Sequence, residues 1–462
     1  MTTTPRDYDL MILGGGAAGL TAAREGHRRG ARTLLVNDGP LGGDCTFTGC
    51  VPSKALLAAA AQGLGFDQAI TRVRDAIDRI AAREDAPTLR AEGIDVAEGR
   101  GVLRSPTEVD VDGTRYRSRR VIVATGAAAS IPPIPGLRET RYLTNENVFS
   151  LERRPASMVV LGGGAIGVEL AQAFARLGTN VTIVEALERL LAREEPEASS
   201  VVRDALVDDG VDVRTGSRVT AISAPDGRVC VALDADAEVE AEQLLVAVGR
   251  EPVSRGFGLE DIGVASDARG FIHTTDTLAT TTAGVWAIGD VTGRLLFTHA
   301  AGRMAIIAVH NALSRTARLR PKRFDPSAIP WVTFTSPQIG RVGITEADAA
   351  DIGGTRVAYL PLDELDRAVA EGTTRGFVKL IAGPRPLLRN LGGGRILGAT
   401  IVAPTGGELV DEVALAMHLR AFTGRLAQAV HAYPTWSSGL QQTAAQFFFE
   451  YGGRVARPPR RG

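Results

Sequence analysis

The sequence GGDCTFTGCVPSK, residues 42–54, decides how this chain is interpreted. It holds Cys45 and Cys50, two of only three cysteines in 462 residues, and it closely follows a glycine-rich loop. On a regular helix, Cα atoms five residues apart are separated by about 8–9 Å, whereas a disulfide requires less than about 7 Å. We therefore predict an irregular loop over 45–50 and a helix that starts near Pro52, since proline fits a first helical turn. A cysteine pair in this place suggests a disulfide held against a bound nucleotide, and the nearby helix N-terminus should favour a Cys50 thiolate.

Two segments of the chain, 8–38 and 158–185, repeat the same pattern of strand, glycine loop, helix and strand. The predicted strands are 10–13 and 33–36 in the first segment, and 158–161 and 180–184 in the second. Glycine at such a turn lets the backbone approach a pyrophosphate, which then binds the N–H groups of the helix N-terminus. One such loop is weak evidence, but two in the same context predict two nucleotide sites. The glycines concerned are Gly14, Gly16 and Gly19 in the first loop and Gly162, Gly164 and Gly167 in the second.

Beyond residue 330 the pattern changes to strand-like runs at 331–335, 376–380 and 395–401, followed by helical patterns at 408–421 and 438–449. This order predicts a separate α+β domain, with 321–330 as the linker that precedes it. The predicted fold class is therefore α/β, with two Rossmann-like domains and a C-terminal α+β domain.

The composition excludes several classes of partner. A formal net charge of −1 gives no reason to expect nucleic acid or an anionic membrane surface, and no apolar run is long enough to span a bilayer. The polar first eight residues predict no signal peptide, so we expect the cytoplasm, where a cysteine pair is more often catalytic or metal-binding than structural. No second cysteine pair or histidine cluster completes a zinc site, so no bound metal is expected. Cys230 lies between valines and is interpreted as an inert strand residue.

Several further motifs give the chain a specific resemblance over nearly its whole length. With the cysteine motif and the glycine loops, it resembles the class I pyridine nucleotide–disulfide oxidoreductases: dihydrolipoamide dehydrogenase, glutathione reductase and mercuric reductase. The motifs that carry the resemblance are VIVATG at 121–126, VGREP at 248–252, VWAIGDV at 285–291, FTSPQI at 334–339 and HAYPT at 431–435.

The resemblance implies a domain organisation and two cofactors. An FAD-binding domain is expected at 1–150 and 280–325, an NAD(P)-binding domain at 151–279, and a C-terminal dimerisation domain at 330–462. The enzyme would be a homodimer that acts on a small-molecule acceptor, with each active site shared between subunits. Residues that match the FAD site are Gly14, Gly16, Gly19, Asn37, Asp38, Thr125, Gly126 and Asp290. Residues that match the NAD(P) site are Gly162, Gly164, Gly167, Glu185 and Gly249.

Two of these positions bear on cofactor choice. Glu185 ends the second repeat, where a carboxylate hydrogen-bonds a ribose 2′-hydroxyl and repels a 2′-phosphate, so NADH is favoured. Arg189 and Arg193 follow it and keep NADPH possible. Asn37 stands where the family usually has Glu in the FAD site, but an amide can still hydrogen-bond a ribose, and Asp38 is adjacent.

The resemblance also assigns the electron path. Cys50 matches the thiol that faces the flavin, and Cys45 matches the thiol that meets the substrate. Lys54, one of only three lysines in the chain, and Glu169 match an ion pair near the reactive flavin nitrogen. Electrons would pass from the nicotinamide to FAD, then to the Cys45–Cys50 disulfide, and then to the acceptor.

The C-terminal motif departs from the family pattern. Dihydrolipoamide dehydrogenase and glutathione reductase have a catalytic histidine, oriented by a glutamate, where this chain has Tyr433 and Ser438. His431 matches a different position, two residues earlier. Tyrosine has an ordinary pKa of about 10, against about 6.5 for histidine, so it is a poor proton shuttle at neutral pH. In the dimer, Tyr433 would face Cys45 of the partner subunit.

This departure sets the order of the functional hypotheses. Tyrosine at this position, together with FTHAA at 297–301, is similar to the mercuric reductase branch, in which thiolates matter more than a proton shuttle. That branch carries a further cysteine pair near its C-terminus, whereas this sequence has no cysteine after Cys230. The leading hypothesis is a mercuric reductase-like enzyme for a disulfide, dithiol or thiophilic metal ion. The alternatives are a lipoamide-type dehydrogenase with altered acid–base chemistry, and a redox sensor with little turnover.

Overall fold

The computed structural model describes residues 6–385, 387 and 389–460, so the polar residues 1–5 of the predicted N-terminus lie outside the described part. The chain forms two compact units. The first unit comprises Met1–Pro132, Leu143–Arg154 and Val248–Asp325, and the second comprises Pro133–Tyr142, Pro155–Ala247 and Pro326–Gly462. Among the described helices, none combines the length and apolar character needed to cross a membrane.

The strands follow one another along both units. They are β1 (Arg6–Tyr8), β2 (Leu10–Leu13), β3 (Thr33–Asn37), β4 (Asp95–Glu98), β5 (Gly101–Ser105), β6 (Glu108–Val111), β7 (Thr114–Ser118), β8 (Val121–Val123), β9 (Ala127–Ala129), β10 (Ser157–Leu161), β11 (Asn180–Val184), β12 (Asp212–Arg214), β13 (Val219–Ser223), β14 (Val229–Leu233), β15 (Glu238–Ala241), β16 (Gln243–Val246), β17 (Arg250–Pro252), β18 (Val285–Ala287), β19 (Pro330–Thr333), β20 (Gln338–Gly343), β21 (Arg356–Pro361), β22 (Phe377–Gly383) and β23 (Arg395–Ala403).

The α-helices lie between groups of these strands and at the C-terminal end of the last strand. They are α1 (Ala17–Arg28), α2 (Gly43–Phe47), α3 (Cys50–Ala61), α4 (Phe66–Ala81), α5 (Ala86–Ala91), α6 (Ala165–Arg176), α7 (Pro196–Asp208), α8 (Thr298–Leu313), α9 (Glu346–Ala349), α10 (Asp366–Glu371), α11 (Gly406–His418), α12 (Thr423–Gln428) and α13 (Ser438–Ala445).

The first unit is built on a parallel five-stranded sheet with the order β18-β8-β2-β3-β4. All four residues of β2 are buried, as expected for a strand covered on both faces. Helix α1 connects β2 to β3, which pair in parallel from Leu10 with Thr33 onward. The predicted strand–loop–helix–strand unit is confirmed, and β3 extends one residue further than predicted, to Asn37.

The second unit contains the second repeat. Strands β10 and β11 pair in parallel within a four-stranded sheet of order β12-β11-β10-β16, and α6 connects them. A separate antiparallel sheet of order β19-β20-β23-β22-β21 is covered by α11 and α13. Strands β19, β22 and β23 and these two helices correspond to the runs predicted beyond residue 330, whereas β20 and β21 were not predicted. The predicted fold class is confirmed. The helices end earlier than predicted, at His418 and Ala445.

A buried ion cluster stabilises the second unit. Lys379 on β22 has a side chain only 1% exposed, and its Nζ lies 3.2 Å from Glu195, 2.8 Å from Glu197 and 2.9 Å from Glu346. Burial opposes ionisation of Glu346, but hydrogen bonds from Arg457 and Lys379 hold the pKa of its carboxyl down to about 2. One ammonium group therefore joins three carboxylates from two helices.

Replacing this cation should destabilise the fold. Lys379→Met leaves three carboxylates without their shared partner, and breaking a buried ion pair on one side costs about 3–5 kcal/mol. We expect the free energy of unfolding in guanidinium chloride, followed by circular dichroism, to fall by this amount. Lys322→Met is the matched control, because Lys322 is exposed and its replacement should change stability by less than about 0.5 kcal/mol. Equal stability of the two variants would contradict a structural role for the cluster.

Candidate active site

The cysteine motif is hydrogen-bonded to the first glycine loop and packs against it. The Gly42 N–H donates a hydrogen bond of 2.9 Å to the Gly15 carbonyl. Gly43 has φ +61°, and a Cβ atom there would lie 2.7 Å from the Cα of Gly16. Only glycine allows two backbones to approach this closely in this conformation. The sequence Gly42-Gly43 thus places the redox segment beside the predicted nucleotide site.

The cysteines lie on two successive helices, which corrects the sequence-based prediction. Cys45 is in the short helix α2, whereas an irregular loop was predicted, and Cys50 is the first residue of α3, two residues before the predicted start. Thr48 and Gly49 lie between the two helices and have non-helical backbone angles. The expectation that one regular helix cannot hold both cysteines is therefore confirmed. Pro52 occupies the first turn of α3, where its missing N–H breaks no intrahelical hydrogen bond.

A single hydroxyl contacts both sulfur atoms. Thr298 Oγ1 donates a hydrogen bond of 3.2 Å to Cys45 Sγ and lies 3.5 Å from Cys50 Sγ. Thr298 is the first residue of α8, as Cys50 is of α3. Two helix N-termini, whose dipoles favour negative charge, therefore meet at the cysteine pair.

The surroundings divide the two thiols into different roles. A hydrogen bond from Cys45, with further contributions from Thr298 and the positive charge of Lys54, lowers the pKa of Cys50 to about 6. The hydrogen bond to Cys50, together with burial, raises the pKa of Cys45 above its ordinary value. In the reduced pair, Cys50 therefore carries the negative charge and Cys45 carries the proton. This agrees with the assignment of Cys50 to the flavin and Cys45 to the substrate.

Arg250 joins the redox segment to the predicted flavin site. Its Nη2 lies 2.6 Å from Asp44 Oδ2 and donates to the Ala127 carbonyl at 2.5 Å, and its Nε lies 3.6 Å from Asp290 Oδ2. Asn145 donates to the other Asp44 oxygen at 3.1 Å. Burial raises the pKa of Asp290 to about 6, although Arg250 opposes the shift.

Sequence reasoning missed the roles of Asp44, Asn145, Arg250 and Thr298. Arg250 and Thr298 lie inside motifs that the resemblance had already singled out, so their positions carried a usable signal. Asp44 directly precedes Cys45 and was equally visible. Nothing in the sequence around Asn145 connects it to a residue about a hundred positions earlier.

The first glycine loop has the geometry that a dinucleotide cofactor requires. Gly16 precedes α1, and a Cβ atom there would meet nothing closer than 3.9 Å, so its surroundings are open to a ligand. Gly19 packs against the strand end, since a Cβ atom would lie 1.8 Å from the Gly14 carbonyl oxygen. Thr125 Oγ1 is buried and has no hydrogen-bond partner among the described residues, and Gly126 follows it with φ +78°. An orphaned hydroxyl beside an open glycine loop fits a polar cofactor.

Asn37 takes the position at the end of β3. Its Oδ1 accepts a hydrogen bond of 2.6 Å from the Gly15 N–H, and its Nδ2 donates to the Gly39 carbonyl at 2.9 Å. The amide therefore holds the loop, and Oδ1 keeps a second lone pair for a ribose hydroxyl. Asp38, next to it, is exposed.

The second glycine loop repeats this arrangement with a carboxylate. Glu185 Oε2 accepts a hydrogen bond of 2.7 Å from the Gly163 N–H, and Oε1 accepts one of 2.8 Å from the Leu187 N–H. Gly164 precedes α6 in open space, and a Cβ atom at Gly167 would lie 2.0 Å from the Gly162 carbonyl oxygen. The loop therefore fits a second dinucleotide in the same way as the first fits FAD.

The remaining predicted residues fall in both units. Arg189 donates to the carbonyls of Glu194 at 2.8 Å and Ala192 at 2.7 Å, so its guanidinium closes a local loop. Glu169 is buried on α6 in the second unit and accepts a hydrogen bond of 2.8 Å from the Phe334 N–H. Lys54 belongs to the first unit, and so does Gly249, which has φ +150°.

The C-terminal motif presents a phenol where the sequence resemblance implies a histidine in dihydrolipoamide dehydrogenase and glutathione reductase. Tyr433 is 75% exposed, and its hydroxyl donates to Asp366 Oδ2 at 2.9 Å, which raises the pKa of the phenol above its ordinary value. The Ser438 hydroxyl donates to the Thr435 carbonyl at 2.7 Å. His431 Nε2 lies 3.0 Å from Glu412 Oε1, and its Nδ1 lies 3.0 Å from the Ala429 carbonyl.

Comparison with known families agrees with these features. Residues 8–305 match the pyridine nucleotide-disulphide oxidoreductase family, and residues 329–444 match the dimerisation domain of the same family. The chain belongs to the pyridine nucleotide-disulphide oxidoreductases.

Relatives that are named for different activities resemble this oxidoreductase to a similar extent. A mercuric reductase from Streptomyces lividans is 34% identical and covers 95% of this chain and 96% of its own length. A dihydrolipoyl dehydrogenase from Thermus scotoductus is 32% identical, with 95% and 97% covered. The HOCl-induced flavoprotein disulfide reductase RclA from Escherichia coli superposes with a TM-score of 0.86 at 30% identity, covering 95% of this chain and 99% of RclA.

Family membership establishes the general chemistry of this oxidoreductase. It is a flavoprotein that uses FAD and NAD(P)H and acts on a disulfide or metal-ion acceptor. The two glycine loops fit these two nucleotides.

The pH dependence of Cys50 tests the site. Since its pKa is lowered to about 6, Cys50 should be a thiolate above that pH and a thiol below it. In the reduced oxidoreductase, the rate of Cys50 alkylation by iodoacetamide should therefore rise with pH to a midpoint near 6. Lys54→Met should move this midpoint upward and slow alkylation several-fold at pH 6, because it removes a favourable charge.

Peptide mapping by mass spectrometry reports each cysteine separately. Lys322→Met serves as the control and should leave the Cys50 profile unchanged. A Cys50 midpoint at the ordinary thiol value would contradict the proposed environment.

Proposed function

We propose that this oxidoreductase passes electrons from NADH through FAD and the Cys45–Cys50 pair to a thiophilic metal ion, in the manner of a mercuric reductase. The observation that carries this proposal is Tyr433, a phenol held by Asp366 at the position where disulfide-reducing relatives have a histidine. When bound, FAD supplies two-electron transfer between the nicotinamide and the cysteine pair.

The residues of the site divide the remaining work. Lys54, which favours the Cys50 thiolate, and Glu169 are proposed to be the ion pair near the flavin. Cys50, at the N-terminus of α3, holds negative charge next to the flavin, and Cys45 is the sulfur that meets the acceptor. Asp290 is proposed to bind the ribityl chain of FAD, with Arg250 keeping it in place.

The chemistry of the acceptor explains why a metal ion is favoured. Reducing a disulfide releases thiolates that must be protonated, and a free thiol has a pKa of about 8.5. Tyr433, whose pKa is raised, is a weak proton source at neutral pH. A soft metal ion binds thiolates directly and needs no such proton. Relatives named mercuric reductase, and RclA described as a Cu(II) complex, support this class of acceptor.

A homodimer is proposed to complete the active site. The dimerisation domain supports it, and exposed apolar side chains lie within it at Leu419, Val430 and Tyr433 and just beyond it at Phe449 and Val455. In that dimer Tyr433 would approach Cys45 of the partner subunit.

We further propose an FAD domain at 1–150 and 280–325, an NAD(P) domain at 151–279 and a dimerisation domain at 330–462. The cytoplasm is the proposed compartment, since a cysteine pair that must return to its reduced form suits a reducing environment.

One observation favours a second candidate, a lipoamide-type dehydrogenase with a displaced acid–base group. His431 and Glu412 form an imidazole–carboxylate pair at 3.0 Å, as a catalytic histidine and its orienting glutamate would. Both ring nitrogens are engaged with acceptors, so His431 must break a hydrogen bond before it can transfer a proton. Rapid oxidation of dihydrolipoamide that is lost in His431→Gln would favour this candidate.

Reduction by NADH tests the proposed electron path. Anaerobic NADH should reduce the holoenzyme and produce a long-wavelength charge-transfer absorbance, which Cys50→Ser abolishes and Cys45→Ser retains. Turnover should then follow with Hg(II) or Cu(II), and turnover with dihydrolipoamide or glutathione disulfide should be at least about a hundredfold slower, the usual contribution of a general acid–base group.

The wild-type control separates the hypotheses. No charge-transfer absorbance would refute the electron path, and robust disulfide turnover would refute the role given to Tyr433. A normal spectrum without turnover of any acceptor would indicate a redox sensor.

Replacing Glu185 tests the preference for NADH. Glu185→Ala removes the carboxylate that is proposed to bind the ribose 2′-hydroxyl, so we expect the KM for NADH to rise about tenfold, the value of one charge-assisted hydrogen bond. The KM for NADPH should fall only slightly, because Arg189 is held by two backbone carbonyls. Glu188→Ala, three residues away, is the control and should leave both KM values unchanged. A wild-type preference for NADPH would overturn the assignment.

A further inference from the structure

In the reduced cysteine pair, the negative charge lies on the sulfur that does not meet the acceptor. Reduction breaks the sulfur–sulfur bond with two electrons and one proton, so one sulfur becomes a thiolate and the other a thiol. The environment places the charge on Cys50 and the proton on Cys45. An acceptor, however, must be attacked or bound by Cys45 as a thiolate.

We propose that the Thr298 hydroxyl is a shared donor that holds this charge and allows it to move from Cys50 to Cys45 within one subunit. The proposal rests on the proposed redox role of the pair. The hydroxyl lies 3.2 Å from Cys45 Sγ and 3.5 Å from Cys50 Sγ. Rotation about its Cβ–Oγ1 bond therefore lets it donate a hydrogen bond to either sulfur. The two thiols are also hydrogen-bonded to each other.

The step is a simple proton transfer. The S–H bond of Cys45 breaks, a new S–H bond forms on Cys50, and the Thr298 hydroxyl donates its hydrogen bond to the new Cys45 thiolate. No electrons move, and the net charge of the pair stays the same. The Cys45 thiolate is thus formed without an external base, which suits a site whose family histidine position is Tyr433.

The charged groups around the pair make Cys45 the sulfur that depends most on Thr298. The positive charge of Lys54 stabilises the Cys50 thiolate, whereas the negative charge of Asp44 destabilises it. The negative charges of Asp290 and the Cys50 thiolate also repel each other. For Cys45, stabilisation comes from the Thr298 hydroxyl and the backbone N–H of Cys50. Removing the hydroxyl should therefore affect Cys45 more than Cys50.

Thr298→Val and Thr298→Ser separate the hydroxyl from the shape of the side chain. The holoenzyme is reduced with dithiothreitol, and the iodoacetamide alkylation rates of Cys45 and Cys50 are measured against pH by peptide mapping. In Thr298→Val, alkylation of Cys45 at neutral pH should slow by about tenfold or more, since one hydrogen bond to a charged sulfur has that value. Cys50 should slow less, and Thr298→Ser should restore both rates.

Thr71→Val is the control for the substitution, because the Thr71 hydroxyl donates to a carbonyl of its own helix, that of Asp67. Unchanged Cys45 rates in Thr298→Val would overturn the proposal. So would equal losses in Thr298→Ser and Thr298→Val, which would indicate packing alone. Dithiothreitol makes the test independent of NADH, so failure of NADH to reduce the wild-type protein would refute the proposed function and not the role of Thr298.

Discussion

The close backbone approach of Gly43 to Gly16 is the contact on which the redox chemistry of this chain depends. Gly42 and Gly43 attach the cysteine segment to the loop that precedes α1. A side chain at Gly43 would collide with that loop at 2.7 Å and push the two cysteines away from the nucleotide. Two-electron exchange between a flavin and a sulfur needs the two groups close together, so this one steric constraint joins the first repeat to the chemistry of Cys45 and Cys50.

Electrostatics then distinguishes two sulfurs that are close in sequence and space. Cys50 begins a helix and has a lysine on the next turn, whereas Cys45 is partly buried in a short helix of its own. The Asp44–Arg250 ion pair fixes the residue that directly precedes Cys45, and Arg250 reaches on toward Asp290. Asp44 in the redox segment and Asp290 therefore lie on either side of one guanidinium, so a substitution at one of these acids should alter the charge environment of the other.

The sequence was sufficient to predict the two nucleotide-binding repeats because their signals are local. Both repeats, with their glycine spacing and strand ends at Asn37 and Glu185, follow from contacts within about thirty residues, a length typical of one βαβ unit. The predicted helix boundaries at the cysteines are wrong because the prediction uses Pro52 as the start of the helix. Thr48 and Gly49 are the residues that interrupt the helix. Thr298 and Asn145 act on the cysteine segment from distant parts of the chain, and such long-range pairings have no periodicity to reveal them.

The scarcity of lysine has a practical consequence. Nearly all of the basic residues in the chain are arginine, and its three lysines occupy very different surroundings. Lys379 is enclosed by carboxylates, Lys54 is half-buried in the redox helix, and Lys322 is exposed. Reagents that acylate amines should therefore modify chiefly Lys322 and the N-terminal amine. This oxidoreductase could be tethered to an electrode or labelled with a dye in a nearly uniform orientation, with its ion cluster and its cysteine pair left untouched.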